Sequence, residues 1–238
     1  MVKTVAVIGS GISGLGAIKA CLEEGLEPTC FERSNDIGGL WRFTDEVEEG
    51  RASIYKSLVT NVSKEIMCLS DFPMPDDFPN FLPNHKYFEY IKLYAEHFKL
   101  LQYINFKPTT ELHMGLQVPP SSLNCIKKFK GQIIHCQEYK RPIGFDGKRV
   151  LIIGMGNTGV DISTELCTRA SQVYLSSRQG VWVVQRCGKG GLPYDLDAVC
   201  RYRNWISTIM PPAVSRWMLK KAMNAQFDHE LYNIQPEG

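Results

Sequence analysis

Val5-Ala6-Val7-Ile8-Gly9-Ser10-Gly11-Ile12-Ser13-Gly14 decides the fold. A short apolar run ends on Gly-x-Gly-x-x-Gly, and Ile12, Leu15, Ala17, Ile18 and Leu22 then recur at helical spacing. The order is strand, tight turn, helix. In such a turn the first glycine permits the sharp reversal, the second lets backbone approach a pyrophosphate, and the third lets helix and strand touch. The pyrophosphate would rest on the helix N-terminus, where open N–H groups and the dipole favour an anion. Gly9, Ser10, Gly11, Ile12, Ser13 and Gly14 are therefore candidate dinucleotide contacts. A second strand over 28–32 ends on Glu32, placed where a carboxylate would accept both ribose hydroxyls.

The arrangement recurs. Val150-Leu151-Ile152-Ile153 leads into Gly154-Met155-Gly156-Asn157-Thr158-Gly159, with a helix expected over 157–169 and a strand over 173–176. That strand ends in Ser176-Ser177-Arg178 with no acid. An arginine there would pair with a 2′-phosphate, which a carboxylate would repel, so the second turn favours NADP over NAD. An exposed basic loop is the plain alternative for Arg178. Gly154, Gly156, Asn157, Thr158, Gly159 and Asp161 are the candidate contacts, with Thr158, Gly159 and Asp161 expected in the first helical turn. The fold class expected is α/β, with two Rossmann-like dinucleotide-binding units of the FAD/NAD(P)-binding type, the second incomplete.

Between the two units the chain is less regular. Gly38-Gly39-Leu40-Trp41 follows Glu32 closely, and Gly39 with its neighbours offers a second backbone approach to an FAD diphosphate and ribitol; an ordinary turn is the alternative. Residues 44–84, rich in Pro, Asp and Asn, read as ordered loop. Asn61 formally completes a glycosylation sequon, a reading that falls away without a signal peptide; as a buried amide it could donate and accept hydrogen bonds at once. Tyr87 to Phe98 reads as a helix and Tyr103 to Phe106 as a short strand. From Pro108 to Lys128 no period holds. His135 reads as a structural histidine bridging domains. After Pro211-Pro212 a basic amphipathic helix is expected to pack on the core, with a membrane-surface role as the alternative.

Composition excludes several classes. The 238 residues are 44% hydrophobic, enough for a core, and Lys+Arg 27 against Asp+Glu 25 gives +2, which argues against a nucleic-acid partner. Cysteines 21, 30, 68, 125, 136, 167, 187 and 200 show neither metal spacing nor a disulfide framework. No stretch reaches the roughly 20 apolar residues that span a bilayer. A disulfide reductase, which also pairs two dinucleotide turns, needs a redox cysteine pair, and Arg42 to Lys107 holds only Cys68.

Phe129-Lys130-Gly131-Gln132-Ile133-Ile134-His135-Cys136-Gln137-Glu138-Tyr139, just before the second turn, realises FxGxxxHxxxY and resembles the fingerprint of flavin-containing monooxygenases. Residues 24–33, Ile37 to Phe43 and Asp71-Phe72-Pro73-Met74-Pro75 resemble the vertebrate drug- and xenobiotic-oxidising members, and the likeness covers nearly all of 1–107 and 126–235. The resemblance implies FAD at the first turn, NADPH at the second, and oxygenation by O2 of a soft nitrogen or sulfur small-molecule nucleophile through a C4a-hydroperoxyflavin. It implies that Asn61, the candidate catalytic residue, hydrogen-bonds near the flavin and NADP+ with Thr60 beside it, and that Leu40, Trp41 and Val62 contact FAD. It also implies residence at the cytosolic face of the endoplasmic reticulum membrane, with a cytosolic location as the alternative because the family's hydrophobic C-terminal anchor is not found in these residues. Two departures stand out: Pro108 to Lys128 is shorter than the family's connecting segment, and the family continues well past residue 238. A spliced or partial form is therefore expected, retaining FAD weakly and turning over little, with an inactive FAD-binding module as the alternative. The expected organisation is an FAD-binding unit over 1–107, a shortened linker over 108–147, a partial NADPH-binding unit over 148–192 and a helical basic tail over 193–238.

Overall fold

The computed structural model describes residues 2–48, 54–107 and 129–236. Two compact units divide the chain, Met1–Val59 with Leu82–Arg141, and Thr60–Phe81 with Pro142–Gly238. Both are α/β with parallel strands.

In the first unit β1 (Thr4–Ile8), α1 (Ile12–Glu23) and β2 (Glu27–Glu32) form a βαβ unit. The strands pair in parallel from Thr4↔Glu27 to Ile8↔Phe31. A third parallel strand, β3 (Ile104–Phe106), joins β2 through Cys30↔Ile104, giving the order β1-β2-β3. Leu15 and Ile18 of α1 are fully buried, as is Cys30 beneath them in the sheet. A longer helix over Asn84–His97 adds Tyr90, Ile91, Tyr94 and Ala95 to the same core. It starts three residues before the expected Tyr87, because Asn84 is itself buried and its amide donates to the carbonyls of Tyr55 and Lys56 at 3.1 and 2.9 Å.

Among the described residues of 44–84, expected to be irregular, one short helix, α2 (Lys64–Met67), stands in the second unit before Asn84; the Asn84–His97 helix is accordingly α3. Lys64 organises this loop. Its Nζ donates to the carbonyls of Asp76 and Phe78 at 2.9 and 3.0 Å, and its backbone N–H to Asn80 O at 2.8 Å. Proline-rich chain lacks regular partners for its carbonyls, and one ammonium with three donors supplies them.

The second unit repeats the βαβ order with β4 (Arg149–Ile153), α4 (Asn157–Leu166) and β5 (Gln172–Ser176). β4 and β5 pair in parallel from Arg149↔Gln172 to Ile153↔Ser176. Ile162 and Leu166 of α4 are buried, but the opposite face, with Leu151 at 60%, Ile153 at 63% and Tyr174 at 51% exposure, is open. α5 (Tyr194–Ala198), α6 (Arg201–Ile209) and α7 (Pro212–Asn224) follow.

The expectation that the basic tail packs on the core is corrected here. Trp205, Ile209, Trp217 and Leu219 are all more than half exposed, and Met223 is the buried residue of α7. In α6 Tyr202, Trp205, Ile206 and Ile209 recur at helical spacing and form one apolar stripe, and that stripe is left exposed rather than packed. His229, just beyond α7, is fully buried: it pairs through Nδ1 with Asn224 Oδ1 at 2.9 Å and accepts the Val183 N–H at 2.8 Å. The stretch 108–128, expected to be a shortened connection, lies outside the described residues. So does the leading part of the linker over 108–147; its fingerprint does not. Tyr139 is buried edge-on to Tyr55, and His135 makes its hydrogen bonds within its own turn, with Nδ1 accepting the Gln137 N–H at 3.4 Å.

Candidate functional site

The two glycine turns are built alike, bond for bond. Gly9 takes φ +86° and donates its N–H to Phe31 O at 2.9 Å; Gly154 takes φ +108° and donates to Ser176 O at 3.0 Å. Each continues the strand ladder by one bond before the chain reverses, and a positive φ of this size is tolerated mainly by glycine. Gly11 and Gly156 are the N-caps of α1 and α4, and each accepts the next turn's N–H at 3.0 Å. Neither cap offers a side chain, and neither helix carries an acid in its first turn. The opening N–H groups are thus left to an anion.

The third glycine is required by contact. A Cβ on Gly14 would lie 1.9 Å from Gly9 O, and one on Gly159 would lie 2.2 Å from Gly154 O. Ile12 and Ser13, and Asn157 and Thr158, fill the first helical turns between these glycines.

Among the described residues, only the first turn gains further walls. Gly38 donates its N–H to Ser10 O at 2.9 Å, and a Cβ on Gly39 would come within 3.1 Å of Gly11 Cα. The Gly38-Gly39 bend is therefore laid directly on the first turn. Leu40 is left exposed, and Trp41 stacks edge-on against Tyr87 at 4.4 Å.

Glu32 stands at the carboxyl end of β2 and is buried. Its Oε2 accepts the Ser10 N–H at 2.7 Å and the Ser10 hydroxyl at 2.9 Å, while Oε1 accepts the Ser34 N–H at 2.8 Å. Burial alone would push its pKa up, but the donors of Ser10 and Ser34 overcome that and hold the carboxyl below its usual range. Sequence reading missed Ser10 and Ser34 as anchors. The turn motif treats residue 10 as any residue, and only the fold brings its hydroxyl to Glu32. Burial pushes the Cys30 thiol up to about 11, with the nearby Glu32 carboxylate adding to the rise.

In the second unit the ladder bond fixes the correspondence: Phe31 is followed by Glu32, and Ser176 by Ser177. A serine thus holds the place of the acid, with exposed Arg178 one residue further on. Asp161 is corrected. It lies beyond the first turn of α4, because the helix is capped by Gly156 and begins at Asn157, and it pairs with Arg186 at 3.7 Å.

Thr60, Asn61 and Val62 belong to the second unit. Thr60 is buried and its hydroxyl donates to Val62 O at 3.0 Å. Asn61, expected to be buried, is exposed. The inward turns of Thr60 and Ser63 leave its side chain on the outer side of the bend. Sequence reading also missed Asp195, whose Oδ2 accepts the Ser63 N–H at 2.6 Å from 132 residues away, a separation at which no local signal exists.

A doubled glycine turn at the carboxyl ends of parallel strands defines the class, an α/β protein of the dinucleotide-binding kind. The family model for flavin-binding monooxygenase-like proteins matches residues 2–114 and 109–238, and the chain belongs to that family. Dimethylaniline monooxygenase (N-oxide-forming) 2 of Macaca mulatta is 45% identical over 275 aligned positions, covering 100% of this chain and 51% of the relative. Flavin-containing monooxygenase 3 of Macaca mulatta is 46% identical, covering 99% and 51%. The chain spans about half the length of the curated relatives it matches. Among solved structures, the S-allyl-L-cysteine S-oxygenase of Allium sativum shares the fold with TM-score 0.64 at 22% identity, over 78% of this chain and 54% of that one. A cyclohexanone monooxygenase shares it with TM-score 0.58 at 18% identity, over 94% and 52%.

Proposed function

We propose that the chain binds FAD at the Gly9–Gly14 turn and NADPH at the Gly154–Gly159 turn, as two Rossmann-like units of which the second is incomplete. The reaction is oxygenation of a small nucleophilic nitrogen or sulfur substrate with O2. The observation that carries the reading is the repeated turn: the same ladder bond, the same uncapped helix start and the same third-glycine contact occur twice in one chain.

The residues present fit the groups. Gly9, Gly11 and Gly14 leave a cradle that a Cβ would fill, and Gly39 brings a second backbone segment to it. Glu32, held charged and aimed by Ser10, would accept the hydroxyls of the FAD ribose, with Leu40 and Trp41 of the same unit along the remainder. At the second turn Gly154, Gly156, Asn157, Thr158 and Gly159 would hold the NADPH diphosphate, and Arg178 its 2′-phosphate. The pairing with Arg186 removes Asp161 from this set and leaves it a role in bracing α4. Bound FAD supplies oxygen activation and NADPH the hydride. The protein's own task is to orient both cofactors, with the Asn61 amide as donor and acceptor toward the nicotinamide nucleotide of its own unit, and to exclude water.

As a division of the sequence we propose an FAD-binding unit over 1–107, a linker over 108–147 bearing the fingerprint, a partial NADPH-binding unit over 148–192 and a basic tail over 193–238, with Thr60–Phe81 folded into the compact unit of the second turn. The two matched stretches overlap at 109–114, which supports a shortened connection there, and the alignment of 275 positions exceeds the 238 residues of the chain, which supports missing residues somewhere along it. Among the described residues no helix is long and apolar enough to cross a membrane. We assign the protein to the cytosolic face of the endoplasmic reticulum membrane, with exposed Trp205, Trp217, Arg201, Arg216, Lys220 and Lys221 as the surface contact; cosedimentation with anionic vesicles tests it.

The deciding experiment is to purify the chain, record its flavin spectrum and follow NADPH oxidation with a tertiary amine. Partial flavin content with little turnover is the expected outcome. Absence of any FAD affinity would refute the first-turn assignment, and robust oxygenation would refute the incomplete second unit.

A further inference from the structure

We propose that Asp195 is a positioning residue for Asn61, tying the Asn61 bend to the segment that braces the second glycine turn; this rests on the role given to Asn61 above.

Four observations within the second unit carry it. Asp195 Oδ2 accepts the Ser63 N–H at 2.6 Å, a charge-assisted bond at the short end of its range. Ser63 is fully buried, and its Oγ and Asp195 Oδ1 are both sealed from solvent without a hydrogen-bond partner. Bond and burial together hold the backbone two residues after Asn61. Consecutive Cα atoms are 3.8 Å apart, so fixing Ser63 confines Asn61 to a small volume. The other side is fixed by the Thr60 hydroxyl on Val62 O. Asn61 is thus an exposed side chain on a doubly tethered bend.

The far end of the tether is also fixed. Tyr194 N–H donates to Arg186 O at 2.8 Å, and Gly188 N–H to Leu192 O at 2.7 Å, closing the loop that presents α5. Arg186 in turn pairs with Asp161 of α4. That ion pair is half-exposed and weak alone. Its place matters more: the chain of contacts runs from α4, which the second glycine turn opens, through Arg186, Tyr194 and Asp195 to Ser63. Asp195 therefore sets where the Asn61 amide stands relative to the dinucleotide held at Gly154–Gly159.

The test is a double-mutant cycle on the full chain, read by NADP+ affinity in calorimetry. Asp195→Ala is expected to raise the NADP+ Kd about tenfold, the scale of one charge-assisted hydrogen bond lost. Asp195→Asn, which keeps an acceptor for the Ser63 N–H, restores most of it. In an Asn61→Ala background, Asp195→Ala adds nothing further, because the group it positions is gone. Independent, multiplying effects would overturn the proposal while leaving Asn61's role intact. An Asn61→Ala variant with unchanged affinity would remove that role and the proposal with it. A cofactor-free measurement decides the matter if NADP+ binds too weakly to titrate. The side-chain amide resonance of Asn61 in 15N-labelled protein, identified by its absence in Asn61→Ala, should shift in Asp195→Ala and return in Asp195→Asn. A resonance that does not move overturns the proposal.

Discussion

A Cβ atom on Gly14 would stand 1.9 Å from the carbonyl oxygen of Gly9, and the same relationship recurs between Gly159 and Gly154 at 2.2 Å. Backbone cannot yield to that extent without breaking the strand-to-helix junction. Gly14→Ala should cost about 2–4 kcal/mol of stability and abolish flavin retention. Urea denaturation and the flavin spectrum check this; a variant as stable as wild type would show that the turn relaxes freely.

Glu32 governs both binding and acid stability. Replacing it with Gln removes the charge that Ser10 and Ser34 solvate, and FAD affinity should fall at least tenfold, about 1.4 kcal/mol. The folded pKa of Glu32 lies below its unfolded value, so the carboxylate stabilises the fold above that unfolded value, near 4.5, and the contribution disappears as pH drops through the folded pKa. Melting temperatures taken from pH 7 down through 4 should fall more steeply for wild type than for Glu32→Gln. Parallel curves would count against the hydrogen-bonded carboxylate.

Arg178 follows Ser177, which holds the position Glu32 has in the first unit. Arg178→Ala should weaken NADP+ roughly tenfold while leaving NAD+ within about twofold, because only the former carries the extra phosphate. Thermal-shift titrations with both nucleotides measure the ratio. Equal loss for both would assign Arg178 to the fold or to the diphosphate.

Leu151 and Tyr174 are register partners on the open face of β4 and β5, at 60% and 51% exposure. Such a surface attracts hydrophobic dyes and other chains. The double substitution Leu151→Thr with Tyr174→Thr should lower dye fluorescence markedly while costing under about 1 kcal/mol, the scale of one cross-strand pair. A large loss of stability would mean that this face is covered in solution.

What could be read from the chain alone was whatever neighbouring residues encode. The glycine spacing, the apolar strands beside it and the acid ending β2 all lie within one βαβ unit, where the rise of a strand and the turn of a helix convert sequence distance into position. Both turns and the parallel α/β character of both units follow from that. The exposure of Asn61, the docking of Gly39 onto Gly11, the aim of Glu32 by Ser10 and the grip of Asp195 on Ser63 were decided by tertiary structure. These depend on which segments meet after folding, and residues 132 positions apart leave no shared period to read. The open tail helices teach the same lesson from the other side: apolar periodicity states that a face can be buried, and only packing decides whether it is.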